Sequence, residues 1–200
     1  MLISNKAFFF HIPKTAGTSI ESVFGGCPNP HQTKNKKSQF AINYQHAFPS
    51  EINTRLPSFC FARNPWDRVV SYFFHLKKYR IMDRDVLFID FLRALNNNFE
   101  VWIYFRKSYE RYEHHRRSAY KMILPSYKWV QEGTLIGKFE NLQEDFNAIC
   151  DKIGIERKTL PHIGKTKHKH YAEYYNDETR EIVGKKYAKD IEYFGYEFGS

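Results

Sequence analysis

The chain has 200 residues, 42% of them hydrophobic, which is enough for one substantial core and favours a single domain over residues 1–200. Its 31 Lys and Arg against 22 Asp and Glu give a formal net charge of +9, a balance that draws anionic ligands or surfaces over long range without saying which. Nowhere do 18 apolar residues run together and the only apolar run near the N-terminus is residues 7–10, so stable membrane insertion is not expected.

Cys27, Cys60 and Cys150 are far apart, odd in number and lack Cys-x-x-Cys spacing. Neither a disulfide framework nor a zinc site is indicated, and a soluble protein of the reducing cytoplasm fits. Tyr interleaved with Arg and Lys in residues 109–120 is compatible with stacking on single-stranded nucleic acid. Half-buried aromatics among solvated charges is the simpler reading, and no nucleic-acid partner is expected.

Residues 7–12 are aromatic or β-branched apart from Ala7 and His11 and stop at Pro13, the pattern of a short buried strand ending in a turn. A helix follows from residue 18 or 19 to 24, closed by Gly25-Gly26. Residues 27–40 read as a polar loop. The unit recurs: a strand at 58–62, a turn at Asn64-Pro65, then a helix whose buried face carries Trp66, Val69, Val70, Phe73 and Phe74 at i, i+3, i+4, i+7 and i+8. Residues 85–95 predict another amphipathic helix, and 96–121 have no clear helical phase. A third strand is predicted at 134–139. Leu142, Phe146, Ile149, Cys150 and Ile153 then mark a helix stopped by Gly154. Residues 156–170 form a basic loop, and Asn176 caps a last helix through Tyr187 or beyond. Alternating strands and helices predict an α/β fold with a central, mainly parallel sheet flanked by helices.

The loop after the first strand carries Lys14, Thr15, Gly17, Thr18 and Ser19. Backbone N–H groups at such a place favour phosphate or sulfate. Gly17 permits close backbone approach, Thr18 and Ser19 offer hydroxyl donors, and Lys14 is a mobile point charge. The motif is not a Walker A loop, because Lys14 precedes the only loop glycine and no Gly lies four or five residues before it. Neither strand 58–62 nor 134–139 ends in an obvious Asp for Mg²⁺. A Mg-dependent P-loop kinase or phosphotransferase is therefore the second reading, and a basic nucleic-acid-binding module the non-enzymatic third.

Pro13-Lys14-Thr15-Ala16-Gly17-Thr18-Ser19 resembles the 5′-phosphosulfate loop of the sulfotransferases that use 3′-phosphoadenosine 5′-phosphosulfate (PAPS), particularly the carbohydrate sulfotransferase branch. Phe61-Ala62-Arg63-Asn64-Pro65-Trp66-Asp67-Arg68-Val69-Val70-Ser71-Tyr72-Phe73 is similar to that family's 3′-phosphate segment, and residues 137–142, 174–175 and 190–196 resemble its later blocks. The resemblance implies a P-loop NTPase-like sulfotransferase fold with PAPS as donor, no required metal, and a hydroxyl acceptor on a glycan or glycolipid.

By that resemblance the loop Pro13 to Ser19, Ala16 included, holds the phosphosulfate, and Arg63 and Ser71 bind the 3′-phosphate, as suits a guanidinium fork and a hydroxyl. Lys165 and Thr166, beside Lys167, make further nucleotide contacts, although a solvated charge run explains them equally well. Lys14 and His46 become the catalytic pair: cation for the leaving oxygen and base for the hydroxyl proton. Glu21 is a rival base, though a helix carboxylate is more simply exposed, and His11 at the strand end reads as a structural partner of the loop. Arg68, three residues before Ser71, reads as simply solvated. His114-His115, His168 and His170 lack the Cys or carboxylate company of a metal site.

Overall fold

The structure, a computed structural model, describes residues 1–25, 47–52, 55–96, 121–164, 166 and 168–200. The chain divides into two compact units, residues 1–63 with 126–165 and residues 64–125 with 166–200.

The first unit holds a four-stranded sheet in the order β1 (Leu2–Ile3), β2 (Ala7–Phe10), β3 (Ser58–Ala62), β4 (Leu135–Lys138). β2, β3 and β4 run parallel, and β1 is antiparallel to β2. All five residues of β3 are buried, as expected of a strand inside a parallel sheet, where both faces are covered and the sequence runs apolar without alternation. Phe9, Phe59 and Phe61 form one core with Ile20 of helix α1 (Gly17–Val23) and with Phe146, Ile149 and Cys150 of helix α4 (Leu142–Ile153). Each such side chain contributes about 1.5–3 kcal/mol when fully buried. Gly154, at φ 71°, ends α4 as a left-handed cap.

The second unit is helical: α2 (Pro65–Lys78), α3 (Phe88–Asn96), α5 (Asp177–Lys186) and α6 (Ala188–Phe194). Its core joins Trp66, Val70 and Phe73 of α2 with Leu92 of α3, Val183 of α5 and Tyr187. Asn64 caps α2, its side chain accepting from the Trp66 amide at 3.1 Å, and Pro65 sits where its missing N–H costs nothing. Asn176 caps α5 by accepting from the Thr179 amide at 2.9 Å while the Thr179 hydroxyl accepts from the Asn176 amide at 2.8 Å, a reciprocal box. Among the described residues, no helix is long and apolar enough to cross a membrane.

The α/β class with its mainly parallel sheet is as expected from the sequence. The larger differences from the predicted elements fall at an end or in continuity, and β2 is the first. β2 stops at Phe10, because the Ile12 amide turns back to the Phe10 carbonyl at 3.1 Å. α3 begins three residues later than the apolar spacing suggests. The last helical stretch is two helices, broken at Tyr187. The expected loop at 27–40 lies outside the described residues, as does all but the ends of 96–121.

Phe61 of β3 and Gly137 of β4 are partners in the ladder. The Phe61 ring lies across Gly137 so that a Cβ at that position would enter it. Gly137→Ala is expected to destabilise the protein by about 1–3 kcal/mol through overpacking, read as a lower urea midpoint with unchanged slope.

Candidate active site: the loop at the end of β2

Beyond Phe10 the chain enters a loop in which Lys14 (φ 69°) and Ala16 (φ 64°) are left-handed while Thr15 between them is not. Alternating handedness turns successive backbone N–H groups toward one side, the geometry of an anion-binding nest. For residues bearing a Cβ the left-handed state costs about 1–2 kcal/mol each, so the loop must be held from outside.

Several bonds hold it. The Thr15 hydroxyl, fully buried, donates to the Ile12 carbonyl at 2.9 Å. Arg63 Nη1 donates to the Lys14 carbonyl at 3.0 Å, and its guanidinium lies 4.0 Å over the Phe139 ring. On the helix side, the Ser19 and Ile20 amides bond the Ala16 carbonyl at 2.9 and 3.3 Å. The Ser19 hydroxyl oxygen accepts from the Ile163 amide at 3.2 Å.

Beneath the loop lies a buried polar pair. His11 Nδ1 is 2.9 Å from Glu21 Oε1, both residues being only 5–6% exposed. The His11 ring stacks on Phe9, centroids 5.8 Å apart at 22°, and fills the space that a side chain at position 17 would need. Gly17 is therefore required first by the imidazole packed against it. Glu21, expected to be exposed, is buried because this ring receives its carboxylate.

The predicted site residues fall into three groups. Lys14, Ala16 and Thr18 are half-buried, whereas Pro13, Thr15, Gly17 and Ser19 are buried and serve the loop's own construction. Arg63 belongs to this first unit; Ser71, on α2, and Thr166 are buried residues of the second. His46 and Lys165 lie outside the described residues. Sequence reasoning missed Phe139 as the platform for Arg63 and Ile163 as the partner of Ser19; both depend on contacts across more than 70 residues that leave no local signal.

Arg68 corrects the expectation of a solvated charge. It is 2% exposed, with Nη2 donating to the Leu124 carbonyl at 2.6 Å and its guanidinium 5.2 Å above the Tyr187 ring. Burial pushes the Tyr187 hydroxyl up to about 12, and that hydroxyl donates to the Ile123 carbonyl at 2.8 Å. Burial likewise raises the Cys60 thiol to about 12 and, with Asp151 beside it, the Cys150 thiol to about 11. Both are inert packing groups at neutral pH. Among the described residues, no group of three or more His, Cys, Asp or Glu comes together to hold a metal ion.

The loop follows the C-terminal end of an inner parallel strand, with φ positive at Lys14 and Ala16 and Arg63 bonded to the Lys14 carbonyl, and α/β folds commonly take ligands at this place. The model of the sulfotransferase family matches residues 3–197, and the chain belongs to that family. It is 33% identical over 97 residues to an uncharacterised protein of Archaeoglobus fulgidus, covering 48% of this chain and 67% of that one. Among solved structures, a sulfotransferase from Alicyclobacillus acidocaldarius aligns over 94% of this chain and 83% of its own, at 13% identity and a TM-score of 0.42.

Gly17→Ala is expected to destabilise the protein by about 1–3 kcal/mol, and less in a His11→Ala background, where the obstructing ring is gone. A double-mutant cycle on urea midpoints measures that coupling; strict additivity would show that the ring and the glycine do not meet.

Proposed function

We propose that this sulfotransferase moves a sulfuryl group from PAPS to a hydroxyl of a carbohydrate, the acceptor being a glycan or glycolipid. The observation that carries the reading is the loop 13–19, in which Lys14 and Ala16 are left-handed on either side of Thr15, a pattern that turns amides to one side. The fit to a phosphosulfate is chemical: neutral N–H donors and one mobile cation suit a spread negative charge. The bound donor supplies the electrophilic sulfur and a phosphate leaving group.

Each residue then has a task. The amides of the loop, with the Thr18 hydroxyl, bind and orient the 5′-phosphosulfate. Lys14 meets negative charge as it builds on the phosphate oxygen, an interaction stronger in the transition state than in the ground state. Arg63 and Ser71 bind the 3′-phosphate by resemblance. A guanidinium has five N–H donors, so holding the Lys14 carbonyl is compatible with that task. Thr166 and Lys165 add nucleotide contacts. His46 accepts the proton of the attacking hydroxyl; this role rests on the resemblance and on its place between the two phosphate segments. Three cysteines, odd in number and far apart in the sequence, support action in the reducing cytoplasm.

A Mg-dependent phosphotransferase remains the competing chemistry. β3 and β4 run into Arg63 and end at Lys138, basic groups where such an enzyme places a Mg²⁺-binding carboxylate. Calorimetry separates the two: adenosine 3′,5′-bisphosphate is expected to bind, and ATP·Mg²⁺ far more weakly. The reverse order of affinities would overturn the reading.

With labelled donor and a panel of glycan acceptors, Lys14→Ala is expected to lower turnover about 10²–10³-fold. His46→Ala should lower it about 10²–10⁴-fold with bisphosphate affinity within about threefold of the parent. A large loss of bisphosphate affinity in the latter would reassign His46 to structure.

A further inference from the structure

We propose that His11 and Glu21 are a positioning pair that sets the conformation of the phosphate loop by fixing the first turns of α1 against the end of β2. The inference rests on the reading that this loop takes the donor's phosphate, and it concerns two residues that do not touch the donor.

The placement is specific. His11 is the first residue after β2, whereas Gly17 and Glu21 are four apart on α1 and so share one helix face. That face meets the imidazole. Nδ1 engages Glu21 Oε1 at 2.9 Å, and the Cδ2–Nε2 edge is the part of the ring nearest to position 17. One planar group thus fixes α1 at two points a turn apart.

Stability does not account for such a pair. Replacing a buried pair of ionisable groups by apolar residues of similar volume is often neutral or stabilising. An apolar contact, however, tolerates sliding, whereas a hydrogen bond at 2.9 Å selects one orientation. α1 needs that selection, because it has only seven residues and its N-cap, Ala16, offers no side-chain bond. Ile20 is its fully buried apolar anchor.

The loop's other end is already secured, by the Thr15 hydroxyl on Ile12 and by Arg63 on the Lys14 carbonyl. With the first turns of α1 free to turn about the Ser19–Ile163 bond, the Ala16 carbonyl that receives the Ser19 and Ile20 amides would move with them, and the left-handed state of Ala16 would lose its constraint on the helix side. This assignment also removes Glu21 as a rival catalytic base: its carboxylate is buried and bonded to His11.

The test compares His11→Ala with His11→Asn and His11→Gln, and Glu21→Ala with Glu21→Gln. Asn carries an amide nitrogen near the place of Nδ1, Gln near that of Nε2, and Gln at position 21 keeps an oxygen to accept the bond. Calorimetry with adenosine 3′,5′-bisphosphate is expected to show a loss of about tenfold or more for both Ala variants and for His11→Gln. His11→Asn and Glu21→Gln should recover to within about threefold of the parent.

Parent-like binding by the Ala variants would overturn the proposal. So would His11→Asn binding as weakly as His11→Gln, a comparison that holds even where the Ala variants do not fold. Amide ¹H–¹⁵N spectra of the unliganded proteins provide a readout independent of the donor. Peaks of residues 14–18 should move in His11→Gln and stay in His11→Asn, with β3 peaks unchanged in both. If the parent itself failed to bind the bisphosphate, the donor assignment would fall while these spectra still decided whether the pair sets the loop; unmoved peaks in His11→Gln would decide against it.

Discussion

Parallel pairing of β2 with β3, in a register that sets Phe10 beside Cys60, is the constraint on which the rest of the site depends. Because the two strands end side by side, Arg63, three residues past Cys60, arrives at the carbonyl of Lys14, four residues past Phe10. β4 extends the same logic: its pairing with β3 carries Phe139, the residue after Lys138, to the face of the Arg63 guanidinium. An antiparallel neighbour would have brought a strand start and its preceding loop to that place. The loop after β2 thus takes one of its anchors from sheet register: Arg63 on the Lys14 carbonyl is among the bonds that hold two left-handed residues bearing side chains.

The polar interior of the first unit follows from that demand. His11, Thr15, Ser19, Glu21 and Arg63 are all less than a tenth exposed, which is costly unless each finds a partner. Each does, on the chain around the loop: His11 with Glu21, Thr15 on Ile12, Ser19 with Ile163, Arg63 on Lys14. The apolar residues beneath, Phe9, Phe59 and Phe61, supply the stability. The polar ones supply direction, which an apolar contact cannot.

The sequence made legible whatever depends on near neighbours. β3 and α4 could be read within a residue because an unbroken apolar run and a clean 3.6-residue period respond to local geometry, and Gly154 and Asn176 mark ends by their own conformational and hydrogen-bonding needs. β1 escaped because two residues carry no period. The charged residues were read less well. Arg68 and Glu21 look solvated in isolation, since an ionised group is normally outside. What reverses this is a distant partner: the carbonyl of Leu124 and the ring of Tyr187 for Arg68, and the imidazole of His11 for Glu21. Helical phase places a residue on a face but does not say what that face meets.

The loop motif shows the same limit at finer grain. Thr18 and Ser19 read alike as hydroxyl donors in the sequence, and Thr15 as a further residue of the same loop. In the fold, Thr15 donates inward to Ile12 and Ser19 receives Ile163, while Thr18 stays half-buried. Two of the three hydroxyls therefore shape the loop. In the proposed donor site the anion contacts therefore fall chiefly to the backbone, whose N–H groups owe their direction to the signs of φ at Lys14 and Ala16. Side chains in such a motif are constrained as much by what keeps the backbone in that state as by the ligand. Gly17, which a sequence reading assigns to the approach of a phosphate, is required in this fold by a histidine.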